Sequence, residues 1–166
     1  MLDTLADWLA STALSTTLQT VSWAIPDLQS LHIIALAFLM GSAWVLDLRL
    51  LGFKERSQPI AAVGHRFLPW VWWPLGVLIV TGALLVTAEP NELLGNDVFQ
   101  LKMLLLAAAI VVTLVIQAMM RKPAPSEAAG TTAPMPASPA LKGLAAVSIL
   151  LWVAIAFAGR MIAYVG

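Results

Sequence analysis

A histidine and a few cations and thioethers are the residues of this apolar chain that could do chemistry. His32 lies about a turn and a half inside a long apolar stretch. Lys102, Met103, Arg160 and Met161 are expected at a similar depth in two later apolar stretches. Ionisable side chains are costly in an apolar solvent, so those that occur there are candidates for function. We therefore expect His32 to form one site with these four residues.

Two cofactors suit this set of residues. A neutral imidazole and a thioether sulfur can bind haem iron axially, and Arg160 and Lys102 could then pair with the haem propionates. The imidazole of His32 and the sulfur atoms of Met103 and Met161 also suit copper(I), which favours soft ligands. The third interpretation needs no cofactor. In that case the histidine is hydrogen-bonded and packs against Ser30 or a neighbouring carbonyl, and the cations extend towards the membrane surface.

The remaining charged residues of interest have structural interpretations. Asp47 projects from a similar helical face to His32, but fifteen residues separate the two, which is about 22 Å of helix. We expect Asp47 and Arg49 to form a charged helix end near the headgroups, and Asp27 to stabilise a helix start through its carboxylate. His65 lies about 30 Å from His32 by helix rise, too far to share one iron within a chain. A loop or headgroup contact is expected for it.

Several classes of function lack support in the sequence. The chain has no cysteine, which excludes disulfides and thiolate metal sites. It also has no glycine-rich phosphate loop, serine elbow or HExxH motif, so hydrolysis and nucleotide-driven transport are poorly supported. Its nine basic residues balance its nine acidic residues, so no overall field favours nucleic acid as a partner.

The elements that carry these residues follow from hydropathy. Of the 166 residues, 60% are hydrophobic and 11% are charged, which is typical of a protein embedded in a lipid bilayer. A hydrocarbon core of about 30 Å needs roughly 20 apolar residues in a helix. Four stretches qualify, and they predict an all-α integral membrane bundle of four transmembrane helices. The spans are residues 28–51, 67–88, 99–120 and 141–163.

The segments outside the spans have their own composition. Residues 1–25 mix leucines with aspartates, serines and threonines, a pattern that favours amphipathic helices lying in the membrane interface. Residues 121–141 are rich in Pro, Ala, Ser and Thr, which predicts a flexible linker. Lys and Arg concentrate in the first and third connections between spans. The positive-inside rule therefore places these connections in the cytoplasm and both termini on the periplasmic side.

An ordered run of motifs resembles a family of small bacterial inner-membrane proteins of unknown function. The motifs are LHIIAL at 31–36, GS at 41–42, DLRLLG at 47–52, LPW at 68–70, TG at 81–82, FQLKM at 99–103 and GRMIAY at 159–164. The resemblance covers about residues 23–164 apart from the linker. It implies four helices in the bacterial inner membrane and emphasises His32, Asp47, Arg49, Lys102 and Arg160, without supplying a function. More distantly, the helical layout and the lysine at the start of the third span are similar to the membrane domain of copper-resistance protein D.

Three hypotheses for function follow. The leading hypothesis is a b-type haem protein with His32 as an axial ligand, which exchanges electrons with quinone or a periplasmic redox partner. The second is copper binding or transport through His32, Met103 and Met161. The third is an accessory or structural membrane subunit without a cofactor. A homo-oligomer is also expected. A haem held between two histidines could form only between subunits, for instance between two His32 side chains about a symmetry axis.

Overall fold

The computed structural model describes residues 2–53, 60–120 and 137–165, and this part of the chain forms seven helices and no strand. In chain order the helices are α1 (Leu2–Ala10), α2 (Ala13–Thr20), α3 (Ala24–Leu51), α4 (Ile60–Ala88), α5 (Pro90–Leu94), α6 (Asp97–Met120) and α7 (Pro139–Val165).

Four of these helices are long and apolar enough to cross a membrane. The qualifying segments are Ala24–Leu51, Arg66–Ala88, Asp97–Met120 and Pro139–Ile162, and each overlaps one predicted span. The predicted all-α fold with four membrane-spanning helices is therefore confirmed. Because successive long helices are antiparallel, the bundle has a His32 end, where α3 begins, and an Asp47 end, where α3 finishes. The start of α6 and the end of α7 lie at the His32 end.

The long helices pack as two antiparallel hairpins. Helix α3 lies along α4 and also along α7, α6 lies along α7, and α4 touches α6 only sparsely. The core takes Leu39 from α3, Val71 from α4, Ala109 from α6 and Trp152 from α7, each at most 1% exposed. Lipid is as apolar as this core, so close packing at small residues, rather than hydrophobic burial, holds such helices together. Ala35, Ala43 and Ala109 supply that close contact in the core.

Helix α3 ends in a left-handed cap at Gly52, shortly after Asp47 and Arg49. Gly52 has φ 92°, a conformation that glycine adopts without the steric cost of a Cβ atom. Its amide donates to the Arg49 carbonyl at 3.2 Å, and the Phe53 amide donates to the Leu48 carbonyl at 3.0 Å. These bonds satisfy carbonyl groups that the helix end would otherwise leave unpaired.

The N-terminal segment folds as two short helices at the His32 end of the bundle. Helix α1 packs on α5, and α2 packs on α4. The Gln19 side-chain amide donates to the Ala88 carbonyl at 2.7 Å, and Ser15 beside it is fully buried. The segment is therefore attached to the bundle through polar contacts as well as apolar ones. Its location in the membrane interface stays a prediction.

Three boundaries differ clearly from the sequence-based ones. Helix α4 begins at Ile60, seven residues before the predicted span of 67–88. Helix α3 begins at Ala24, ahead of Pro26 and Asp27, because proline is tolerated in a first turn. Helix α7 begins at Pro139, inside the predicted linker of residues 121–141. The part of that linker from 121 to 136 lies outside the described residues.

Candidate functional site

The imidazole of His32 is held by a threonine on the neighbouring helix. His32 Nδ1 lies 2.8 Å from the Thr81 hydroxyl oxygen. That hydroxyl donates its single hydrogen to the Val77 carbonyl at 2.8 Å. With its hydrogen on that carbonyl, the threonine oxygen accepts a hydrogen from Nδ1, and this arrangement puts the N–H of a neutral ring on Nδ1. In this tautomer the lone pair is on Nε2, which is then the atom able to bind a metal or accept a proton.

Two glycines on facing helices lie beside the side chains of the site. A Cβ atom on Gly82 of α4 would lie 3.4 Å from His32 Cε1. A Cβ atom on Gly159 of α7 would lie 3.5 Å from the Lys102 ammonium nitrogen. His32 thus packs closely on α4, and Lys102 packs closely on α7.

His32 and Lys102 belong to one cluster at the His32 end. His32 and Lys102 lie within electrostatic reach of each other. Both side chains are partly buried. We call His32, Thr81, Gly82, Lys102 and Gly159 the His32 cluster. All four long helices contribute to it, so the bundle itself sets its geometry.

The other three predicted members of the site lie on the outside of the bundle. The Arg160 guanidinium donates to the Tyr164 hydroxyl at 2.6 Å and lies 4.9 Å from the centre of that ring. Met103 and Met161 are 38% and 46% exposed. Within the described residues, no group of three or more His, Asp or Glu side chains comes together to hold a metal. The structure therefore brings together His32 and Lys102 and leaves the other three side chains facing outward.

The Asp47 carboxyl group and the Ser148 hydroxyl form a buried polar pair between α3 and α7. Asp47 is only 2% exposed and is hydrogen-bonded to the side chain of Ser148. Arg49 is also buried, at 8% exposure. The sequence predicted a charged helix end near the headgroups. Both side chains are buried close to the end of α3, and their depth relative to the headgroups stays a prediction. A carboxyl group is kept there by a polar partner on a facing helix, as is usual inside membranes.

The other two expectations concern Asp27 and His65. Asp27 is exposed in the first turn of α3, where a carboxylate meets the positive end of the helix dipole. His65 belongs to helix α4 rather than to a loop. Its side chain lies outside the described part of the structure, so its headgroup contact stays a prediction.

The sequence reasoning missed the hydroxyl partners of both polar groups. Thr81 binds His32, and Ser148 binds Asp47, yet neither was singled out as a site residue. The available signal was a hydroxyl residue inside a long apolar span. Such residues often hydrogen-bond across helices in membranes, although many bond only to their own helix.

Comparison with known proteins identifies a family without assigning an activity. No curated protein and no solved structure matches the chain. A family model does match, and it covers residues 12–165, which include all four long helices and both polar groups. The chain therefore belongs to DUF6644, a family of unknown function.

Proposed function

We propose that this membrane protein binds b-type haem, with His32 Nε2 as an axial ligand and Lys102 paired with a haem propionate. The observation that carries the proposal is the bond between His32 Nδ1 and Thr81. Histidines that bind metals usually donate their other ring N–H to a fixed acceptor, which sets the tautomer and the ring orientation. Thr81 would have that role here, with its own hydrogen donated to the Val77 carbonyl.

The surroundings of His32 agree with a flat anionic ligand. Lys102 supplies a positive charge within electrostatic reach of the imidazole, and a carboxylate of the ligand would neutralise that charge in the apolar bundle. Helices α4 and α6 pack only sparsely on each other, so a planar ring that enters between them disturbs little of the helix packing. When bound, haem supplies a one-electron redox couple.

We also propose an orientation in the membrane and redox partners for the protein. With the loops at the Asp47 end in the cytoplasm, the His32 cluster would face the periplasmic side of a bacterial inner membrane. The haem would then exchange electrons with quinone in the bilayer or with a periplasmic redox partner. Homo-oligomer formation and the similarity to copper-resistance protein D stay predictions. The copper hypothesis has less support than haem, because Met103 and Met161 face outward.

The test is an absorption spectrum of the detergent-purified protein, produced with adequate haem supply, before and after reduction by dithionite. We expect a Soret band and visible bands that sharpen on reduction. His32→Ala should lose them, while His65→Ala, the matched control at the only other histidine, should keep them. Lys102→Gln should weaken haem retention, and Lys102→Arg should retain more of it because the charge remains. A colourless wild-type protein, or unchanged haem content in His32→Ala, would refute the proposal.

A further inference from the structure

Three buried polar atoms near the Asp47 end have no hydrogen-bonding partner among the residues that the structure describes. They are Asp47 Oδ2, Trp44 Nε1 and Trp152 Nε1. Trp152 is 1% exposed and Asp47 is 2% exposed, so neither residue reaches the surface of the bundle. Buried donors and acceptors are nearly always paired with protein or with ordered water. These three atoms therefore need an explanation.

The three atoms belong to one section of the contact between α3 and α7. Trp44 precedes Asp47 by three residues, and Trp152 follows Ser148 by four, so each pair lies on one face of its helix. The hydrogen bond between Asp47 and Ser148 joins the two faces. Asp47 lies four residues before the end of α3, about 6 Å by helix rise. Trp44 and Trp152 lie about one helical turn further from that end of the bundle than Asp47 and Ser148.

The chemistry of these atoms identifies the kind of ligand. The two indole nitrogens can only donate a hydrogen bond, which makes them poor ligands for a cation. The Asp47 carboxyl group offers acceptor oxygens, which disfavour an anion. A small neutral molecule that both donates and accepts can satisfy all three atoms, and water does this in buried polar sites.

We propose that water is bound between α3 and α7, where it donates to Asp47 Oδ2 and accepts from the indole N–H groups of Trp44 and Trp152. The hydroxyl of Ser148 holds the other side of the carboxyl group. The site is independent of haem binding.

The experiment is NMR of the full-length protein in detergent with ¹⁵N-labelled tryptophan, in which magnetisation transfer from water to the indole N–H groups is recorded. Trp152→Phe and Trp44→Phe assign the two resonances, because each removes the N–H group and keeps an aromatic ring. We expect a water cross-peak at the Trp152 indole in spite of its burial, and a weaker or absent cross-peak in Asp47→Leu.

Two results would overturn this inference. One is a folded protein whose Trp152 indole shows no transfer from water. The other is an unchanged cross-peak in Asp47→Leu, which would mean that the carboxyl group does not hold the water. Asp47→Asn serves as the second variant if Asp47→Leu does not fold, since the amide keeps an acceptor oxygen and should retain the cross-peak. Loss of the cross-peak in a folded Asp47→Asn protein would contradict the assignment of that oxygen as the acceptor.

Discussion

Replacing Thr81 by valine removes the group that fixes the His32 imidazole and changes little else. Valine has nearly the shape of threonine, so the contact between α3 and α4 keeps its packing. The variant loses the 2.8 Å bond to His32 Nδ1 and the 2.8 Å bond to the Val77 carbonyl. The second bond lies within one helix, and the Val77 carbonyl keeps its place in the helix ladder. The change therefore isolates the bond between the helices.

The size of the effect follows from the burial of His32. A neutral hydrogen bond contributes about 0.5–1.5 kcal/mol net, and an N–H left buried without a partner costs about 1–3 kcal/mol. His32 is only partly buried, so its N–H can recover some solvation. We expect Thr81→Val to lower the free energy of unfolding by about 1 kcal/mol, which is roughly fivefold in the unfolding equilibrium. Loss of such an orienting partner should weaken haem binding by about 10–100-fold.

The assay pairs unfolding in detergent with titration of haem into the purified apoprotein. Thr81→Ser is the matched control, because it keeps the hydroxyl group and loses only a methyl group. We expect haem affinity in the order wild type, Thr81→Ser and Thr81→Val, with the main loss at the last step. If Thr81→Val matches wild type in both stability and haem affinity, then the threonine does not position the imidazole. The assignment of the His32 N–H to Nδ1 would then be wrong.

Three further predictions concern single positions. Gly52→Ala should cost about 1–2 kcal/mol in detergent unfolding, because alanine is strained at φ 92°, and a loss below the error of the measurement would contradict the cap. Gly159→Ala should retain haem, because its Cβ atom would lie at an ordinary 3.5 Å from the Lys102 ammonium, whereas Gly159→Leu should displace Lys102 and lower haem content. Burial, and then the neighbouring Glu92 carboxylate, raise the pKa of Glu89, so ionised Glu89 opposes folding. Protonation of Glu89 removes this cost to folding. Its stabilising effect is complete at low pH and is lost as the pH rises through the pKa that Glu89 has in the folded state. Glu89→Gln should therefore melt like wild type in acid and at a higher temperature near neutral pH, and an equal melting temperature at every pH would contradict this.

Hydropathy was enough to predict the membrane bundle. Four runs of apolar residues, each long enough to span a bilayer, leave few other structures available, because backbone groups in lipid must be satisfied within a helix. The positions of the helices along the chain followed from the same runs to within a few residues at most ends. Some helix starts differ by more, such as the start of α3 before Pro26. Helix ends are the least sharply defined part of a helix.

The candidate site was predictable only in part. Depth along each helix follows from residue number, and this was sufficient to place His32 and Lys102 at the same end of the bundle. Azimuth around each helix does not follow from residue number in an apolar span, because residues that face lipid and residues that face protein are equally hydrophobic. Arg160, Met103 and Met161 had the predicted depth, but they face outward.

The sequence by itself determined the class of the protein, the four long helices and the few ionisable residues inside them. Only the tertiary structure decided which of those residues meet. It paired His32 with Thr81 and Asp47 with Ser148, and it buried the Asp47 carboxyl group between helices. The physical reason is that a hydrogen bond between helices depends on the rotation and the neighbours of each helix. Those are set by close packing of the whole bundle and not by the composition of any one span.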